Sequence, residues 1–272
     1  MAVLSLLEKP FASIVDRLEI WVRSITKNVA NETDWADSTK GSWYLHPRQH
    51  AVELLCLSAG FITASGYYLQ KVCQPSGQLW HLMTHFKPMS RASWTEKLLM
   101  VSLLGSFGVT LTHKIIRKNK LFMLQPCHMS AGLLLITMNN PNKSCVITSI
   151  LFNIYLHTQW GAIAALVFPD LRDHYLIGET FNFFAVLPTS KDMALLSFSI
   201  YSFFHSPILS ICALKSGQNL NYIFSPPPVG FLLRMGRGYR VALYSIALGA
   251  MFGTRYGLVE PMMAIIPRKT II

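Results

Sequence analysis

The chain has 272 residues, 51% of them hydrophobic and only 14% charged, with a formal net charge of +11. Soluble globular domains carry about 25% charged residues, so an ordinary soluble domain is excluded, and the apolar content excludes disorder. What remains is an integral membrane protein whose positive surplus reads as Lys and Arg held on the cytoplasmic side of a bilayer, with no nucleic-acid partner.

The first apolar run, Met1 to Leu7, stops at Glu8-Lys9-Pro10. That is too short for a signal-peptide core, so insertion is expected to rely on the first internal span. Phe11, Ile14, Val15, Leu18, Val22, Ile25 and Val29 then recur at three- and four-residue steps, with Asp16, Arg17, Arg23 and Lys27 between them. This is an amphipathic helix, expected to lie in the membrane interface, with a partner-binding helix as the alternative. Residues 1–50 are read as this N-terminal segment and residues 51–272 as a transmembrane helical domain.

A span needs about 20 mostly apolar residues. The candidates are Leu54–Gln70, Leu98–His113, Leu121–Asn142, Cys145–Pro169, Met193–Leu214 and Val241–Thr254, the last continuing past Arg255. His174–Leu187 is a shorter piece containing Glu179, read as re-entrant, interfacial or a truncated helix. The expected fold is therefore all-α: a polytopic bundle of six to seven transmembrane helices behind an amphipathic helix. The segment to Gln49 carries six Lys or Arg and the Lys114–Lys120 loop four, on the same side. The bias favours a cytoplasmic N-terminus.

Five cysteines without CxxC or regular spacing give no disulfide framework. The most informative stretch is Leu124-Gln125-Pro126-Cys127-His128. Proline is favoured at the first helical position, so Pro126 is expected to start a fresh half-helix with Cys127 in its first turn. Free N–H groups there favour a thiolate, as a nucleophile requires. The alternative is a kinked helix with a structural thiol. Adjacent helical residues point to different faces, which makes His128 a poor direct partner and favours a base from another helix.

His157 and His205 lie inside apolar spans, where ionisable residues usually face the bundle interior. At about 1.5 Å per residue, Cys127 lies roughly 9 Å from Leu121 and His157 roughly 16 Å from Phe168, on the same side. The alternative is a pair of histidines hydrogen-bonded between helices. His46 with His50, and His81 with His85, have metal-like i, i+4 spacing but lack the Glu of a zinc hydrolase motif, so no metal site is read there. Arg234, Arg237 and Arg240 read as a positive flank, able to touch phospholipid headgroups.

Pro126-Cys127-His128, His157 with Gly161-Ala162 and Phe168-Pro169, Phe204-His205, and Asn219-Leu220-Asn221 with Pro226 form an ordered set across residues 98–260. In that order and spacing the sequence resembles the transmembrane protein 164 family. The resemblance implies a lipid acyltransferase of endomembranes, in the endoplasmic reticulum or Golgi. It implies that a polyunsaturated acyl chain moves from a phospholipid, through a cysteine-linked intermediate, to a lysophospholipid such as ether lysophosphatidylethanolamine. No soluble cofactor is implied, and the partners are those lipids and the bilayer.

On this resemblance Cys127 is the nucleophile. The base is read as His205 first and His157 second, with His128, Asn219 and Asn221 binding headgroup or orienting the base. Where the family has a full helix with its own histidine, this chain has only His174–Leu187. A lost helix there would invert everything after Lys191 and put Asn219 and Asn221 on the side away from Cys127. The competing readings are a transporter, receptor or scaffold, with Pro126 and Pro207 as gating kinks, and a lipid ester hydrolase.

Overall fold

Proline lacks an N–H and arrives with a helical φ, so it opens helices more readily than it continues them. In the computed structural model, which describes residues 2–85, 94–142, 144–160 and 190–261, Pro47 starts one long helix and Pro126 another. The helices in order are α1 (Ala2–Ile25), α2 (Pro47–Val72), α3 (Gln78–His85), α4 (Trp94–Ile116), α5 (Pro126–Asn139) and α6 (Val146–Thr158). They continue with α7 (Lys191–Ser216), α8 (Gly230–Arg234) and α9 (Tyr239–Phe252). The described residues contain no strand, only isolated bridges from Ala30 to Ser42 and from Lys40 to Gln218.

Pro47–Val72, Glu96–Ile116 and Lys191–Ser216 are long and apolar enough to cross a membrane, consistent with an integral membrane protein. The expected span Leu121–Asn142 is not one continuous helix. Lys120–Leu124 winds as a 3-10 turn, Gln125 is extended, and an α-helix of 14 residues begins at Pro126. The cause is local: the ring of a proline pushes the preceding residue out of the α region. Within the expected span Cys145–Pro169, the helix Val146–Thr158 has 13 residues. The remainder beyond residue 160, and all of His174–Leu187, lie outside the described residues.

The first helix ends at Ile25, short of the expected Val29, and Asn28 follows with a φ of 53°. Val15 and Val22 are buried, and Leu18 and Ile25 pack beside Val22 on Ala51 of α2 and Leu214 of α7. Ile14 is exposed. The side of α1 that is buried is buried against protein.

Two apolar clusters mark the ends of the bundle. One joins Ala51, Phe122, Leu214 and Phe224. The other joins Val72, Met193 and Leu196 with Val146 and Ile150 packed against them. Helix α2 therefore runs from the first end to the second, while α6 and α7 both start at the second and run back. Lys71 and Asp192, 3.7 Å apart, tie the second end of α2 to the start of α7.

The inversion that a lost helix would bring is not what the described residues show. The turn after α7 lies at the same end as the entry to α5: the Gln218 amide donates to Asn119 Oδ1 at 3.3 Å, and the Lys27 N–H donates to the Leu214 carbonyl at 3.1 Å. Asn219 and Asn221 are thus on the side of Cys127.

Gly217 makes that junction possible. Its φ is +70°, and a Cβ placed on it would lie 2.1 Å from the Lys27 carbonyl oxygen. Gly217→Ala is expected to lower stability by at least about 2 kcal/mol, because the left-handed conformation and a backbone clash add. Thermal unfolding in detergent micelles measures this, with Gly249→Ala, which meets nothing within 4 Å, as the neutral comparison.

Candidate active site

Pro126 occupies the first position of α5, so Cys127 and His128 sit in a turn whose N–H groups have no intrahelical partner. The positive end of the helix dipole favours an anion there. Cys127 Sγ lies 3.4 Å from His128 Nδ1. The expectation that adjacent residues diverge fails for a physical reason. Helical side chains lean toward the N-terminus, and in the first turn no earlier turn fills the space they lean into. Cys127 is exposed while His128 is buried, so the thiol opens outward against a buried imidazole. Lys114, Arg117, Lys118 and Lys120 precede it in the chain.

His157 sits in the last turn of α6, at the same end of the bundle. Its Nδ1 donates to the Asn153 carbonyl at 2.7 Å, which leaves the lone pair on Nε2. The next residue, Thr158, is 3.0 Å from Ser130 of α5, oxygen to oxygen. Ser130 is one turn beyond Cys127, so the start of α5 lies beside the end of α6; Phe168, from which the depth of His157 is counted, lies outside the described residues.

His205 lies in a π-turn, Phe204–Leu209, that contains Pro207. Proline cannot supply the regular helical bond, and a wider turn accommodates the gap. The ring donates from Nε2 to the Asn221 carbonyl at 3.1 Å, and Nδ1 accepts from the Tyr244 hydroxyl at 2.7 Å. Both nitrogens are engaged by groups other than Cys127, so the first-ranked base is not the imidazole at the thiol.

Tyr201, one turn before His205, connects the two. Its ring stacks on His205 at 6.5 Å and 17°, and meets Trp160 edge-on at 5.9 Å. Trp160 follows Thr158 by two residues, so Tyr201 stands at the end of α6 that meets α5. The i, i+4 spacing of Tyr201 and His205 was the available sequence signal. Tyr244 had none, being on another helix.

Asn219 has a different part. Its amide donates to the Ser225 carbonyl and hydroxyl at 3.2 and 2.8 Å, and accepts from the N–H groups of Phe224 and Ser225 at 2.9 and 3.3 Å. Both ends of the side chain close the loop that carries Asn221. Asn221 and Tyr222 are left-handed, with φ of 46° and 61°, a conformation costing roughly 1–2 kcal/mol per non-glycine residue.

Arg240 is not part of an exposed positive flank. It is 6% exposed, with Nη1 donating to Glu53 Oε2 at 2.7 Å and Nη2 donating to His50 Nδ1 at 2.8 Å and to the Ile223 carbonyl. A buried guanidinium requires such partners. His46 caps α2 by accepting the Arg48 N–H at 3.2 Å, so His46 and His50 serve different partners. The His81 and His85 rings are 5.9 Å apart. Among the described residues no group of three or more His, Cys, Asp or Glu is placed to hold a metal ion.

The chain is 27% identical over 231 residues to the Transmembrane protein 164 homolog of Dictyostelium discoideum, covering 76% of this chain and 83% of that one. No protein-family model matches the chain, and no solved structure matches it significantly. The similarity supports a relationship to the transmembrane protein 164 family.

Proposed function

We propose that this chain, related to the transmembrane protein 164 family, is a multi-pass endomembrane acyltransferase with six or seven spans. It moves a polyunsaturated acyl chain from a phospholipid to a lysophospholipid, including ether lysophosphatidylethanolamine. The observation that carries the reading is the exposed Cys127 thiol in the first turn of α5, with Sγ 3.4 Å from His128 Nδ1. A cysteine nucleophile needs an N-terminal turn or cation to favour its thiolate and a base within reach.

In this mechanism His128 Nδ1 accepts the thiol proton and Cys127 attacks the sn-2 ester carbonyl. The ester C–O bond breaks, and the departing lysophospholipid oxygen takes the proton from the His128 imidazolium. The hydroxyl of a second lysophospholipid then attacks the thioester and gives its proton to His128. The C–S bond breaks and the thiolate returns. Atoms balance without a soluble cofactor. An outward-facing thiol suits a substrate that arrives laterally from the bilayer.

Two measurements test this. Purified protein in vesicles receives a phospholipid labelled in its sn-2 chain and an ether lysophosphatidylethanolamine. Label in the ether phospholipid is the expected result. Label found only as free fatty acid would replace transfer by hydrolysis, and label left wholly in the donor would overturn the reading. Second, His128→Ala is expected to slow formation of the hydroxylamine-sensitive acyl-protein about 10²–10⁴-fold, the usual scale for losing an acid–base group.

A further inference from the structure

We propose that Arg240, anchored by Glu53, is a positioning residue for this site: with Tyr239 it holds the left-handed Asn221–Tyr222 turn against His205. Two consecutive non-glycine residues at positive φ persist only where the surroundings over-determine them. Here the restraints are on the page. The Tyr239 hydroxyl donates to the Tyr222 and Ile223 carbonyls at 3.1 and 3.2 Å. Arg240 Nη2 donates to the same Ile223 carbonyl, and Arg240 Nε to the Tyr239 hydroxyl at 3.3 Å. Glu53 fixes the guanidinium from α2 through Nη1, 2.7 Å away, and is itself held by the Gln49 amide at 2.7 Å.

The turn so held delivers one group to the site. Its Asn221 carbonyl accepts from His205 Nε2 at 3.1 Å, which keeps the proton on that nitrogen and the Nδ1 lone pair on Tyr244. The same His205 ring stacks on Tyr201, which meets Trp160 at the end of α6, beside the Thr158–Ser130 contact one turn beyond Cys127. The guanidinium joins Glu53 and His50 of α2 and Tyr239 of α9 to the Ile223 carbonyl, so it ties both helices to the end of the turn.

The inference rests on Cys127 as the reacting group, and two readouts separate its failure from the failure of acyl transfer. The variants are Arg240→Met, Arg240→Lys and Tyr239→Phe in the full chain, each measured per molecule of folded, monodisperse protein. The first readout is the pH profile of iodoacetamide alkylation at Cys127, quantified by peptide mass spectrometry, which needs no lipid chemistry. The second is the rate of hydroxylamine-sensitive acylation against donor concentration.

Arg240→Met and Tyr239→Phe are expected to change Cys127 alkylation at neutral pH at least threefold. Both are expected to slow acylation at least tenfold at saturating donor, with the half-saturating concentration unchanged and Arg240→Lys intermediate. Tyr239→Phe removes one hydroxyl and decides the matter where Arg240→Met does not fold. Unchanged alkylation and acylation per folded molecule in Tyr239→Phe would overturn the inference, whatever the loss in yield. Altered alkylation in a protein whose wild type never acylates would uphold the positioning role and reject the acyl-transfer reading.

Discussion

Cys127→Ser, assayed in vesicles with a labelled donor phospholipid, should leave no hydroxylamine-sensitive label on the protein and reduce transfer to background, a loss of at least about 10³-fold. The substitution changes one atom in an exposed position, so folding is expected to survive and the thermal midpoint to stay within about 2 °C, as for surface substitutions. A serine hydroxyl beside the same imidazole is a far weaker nucleophile, because sulfur is intrinsically the better nucleophile. The other four cysteines serve as internal comparisons. Cys73, for example, sits just past α2, where burial pushes its thiol above the ordinary range, opposite to what a nucleophile needs. Retention of labelled acyl chain by Cys127→Ala, equal to wild type, would reject the mechanism. A transporter would tolerate loss of the thiol but lose flux on changes at His157 or His205.

What was legible in the sequence was what the backbone dictates locally. Pro126 starts a helix because its φ and missing N–H leave little else, and Cys127 follows into the first turn. The apolar runs located α2, α4 and α7, whereas α1 showed only as an amphipathic pattern from Phe11 and in fact begins at Ala2. The run beginning at Leu54, however, hid the true start of α2 at Pro47, because Arg48, His50 and Glu53 look like an aqueous flank. They are helical because Glu53 and His50 find Arg240, 187 and 190 residues away, and no local pattern encodes a partner at that separation. The left-handed Asn221 and Tyr222 were equally silent, since neither is glycine. Rules for mid-helix geometry misjudged His128, which stands in the one turn where they lapse.

The buried pair makes the second large prediction. Glu53→Ala should destabilise the protein by about 3–5 kcal/mol, because it strands Arg240 in a site that is 6% exposed. Glu53→Leu with Arg240→Met should be less damaging than the sum of its single changes, since the double variant leaves no unpaired charge, and a coupling of at least about 1 kcal/mol is expected for residues in one network. Unfolding equilibria in detergent micelles measure all four corners of that cycle. The exposed Lys71–Asp192 pair, with side chains 44% and 45% exposed, sets the contrast: Lys71→Ala should cost less than about 1 kcal/mol, because water and salt screen it. Additive effects at Glu53 and Arg240 would mean that water reaches the pair. The guanidinium would then be too loosely held to fix the Ile223 carbonyl, and the turn facing His205 would have to be held by Asn219 and Tyr239 alone.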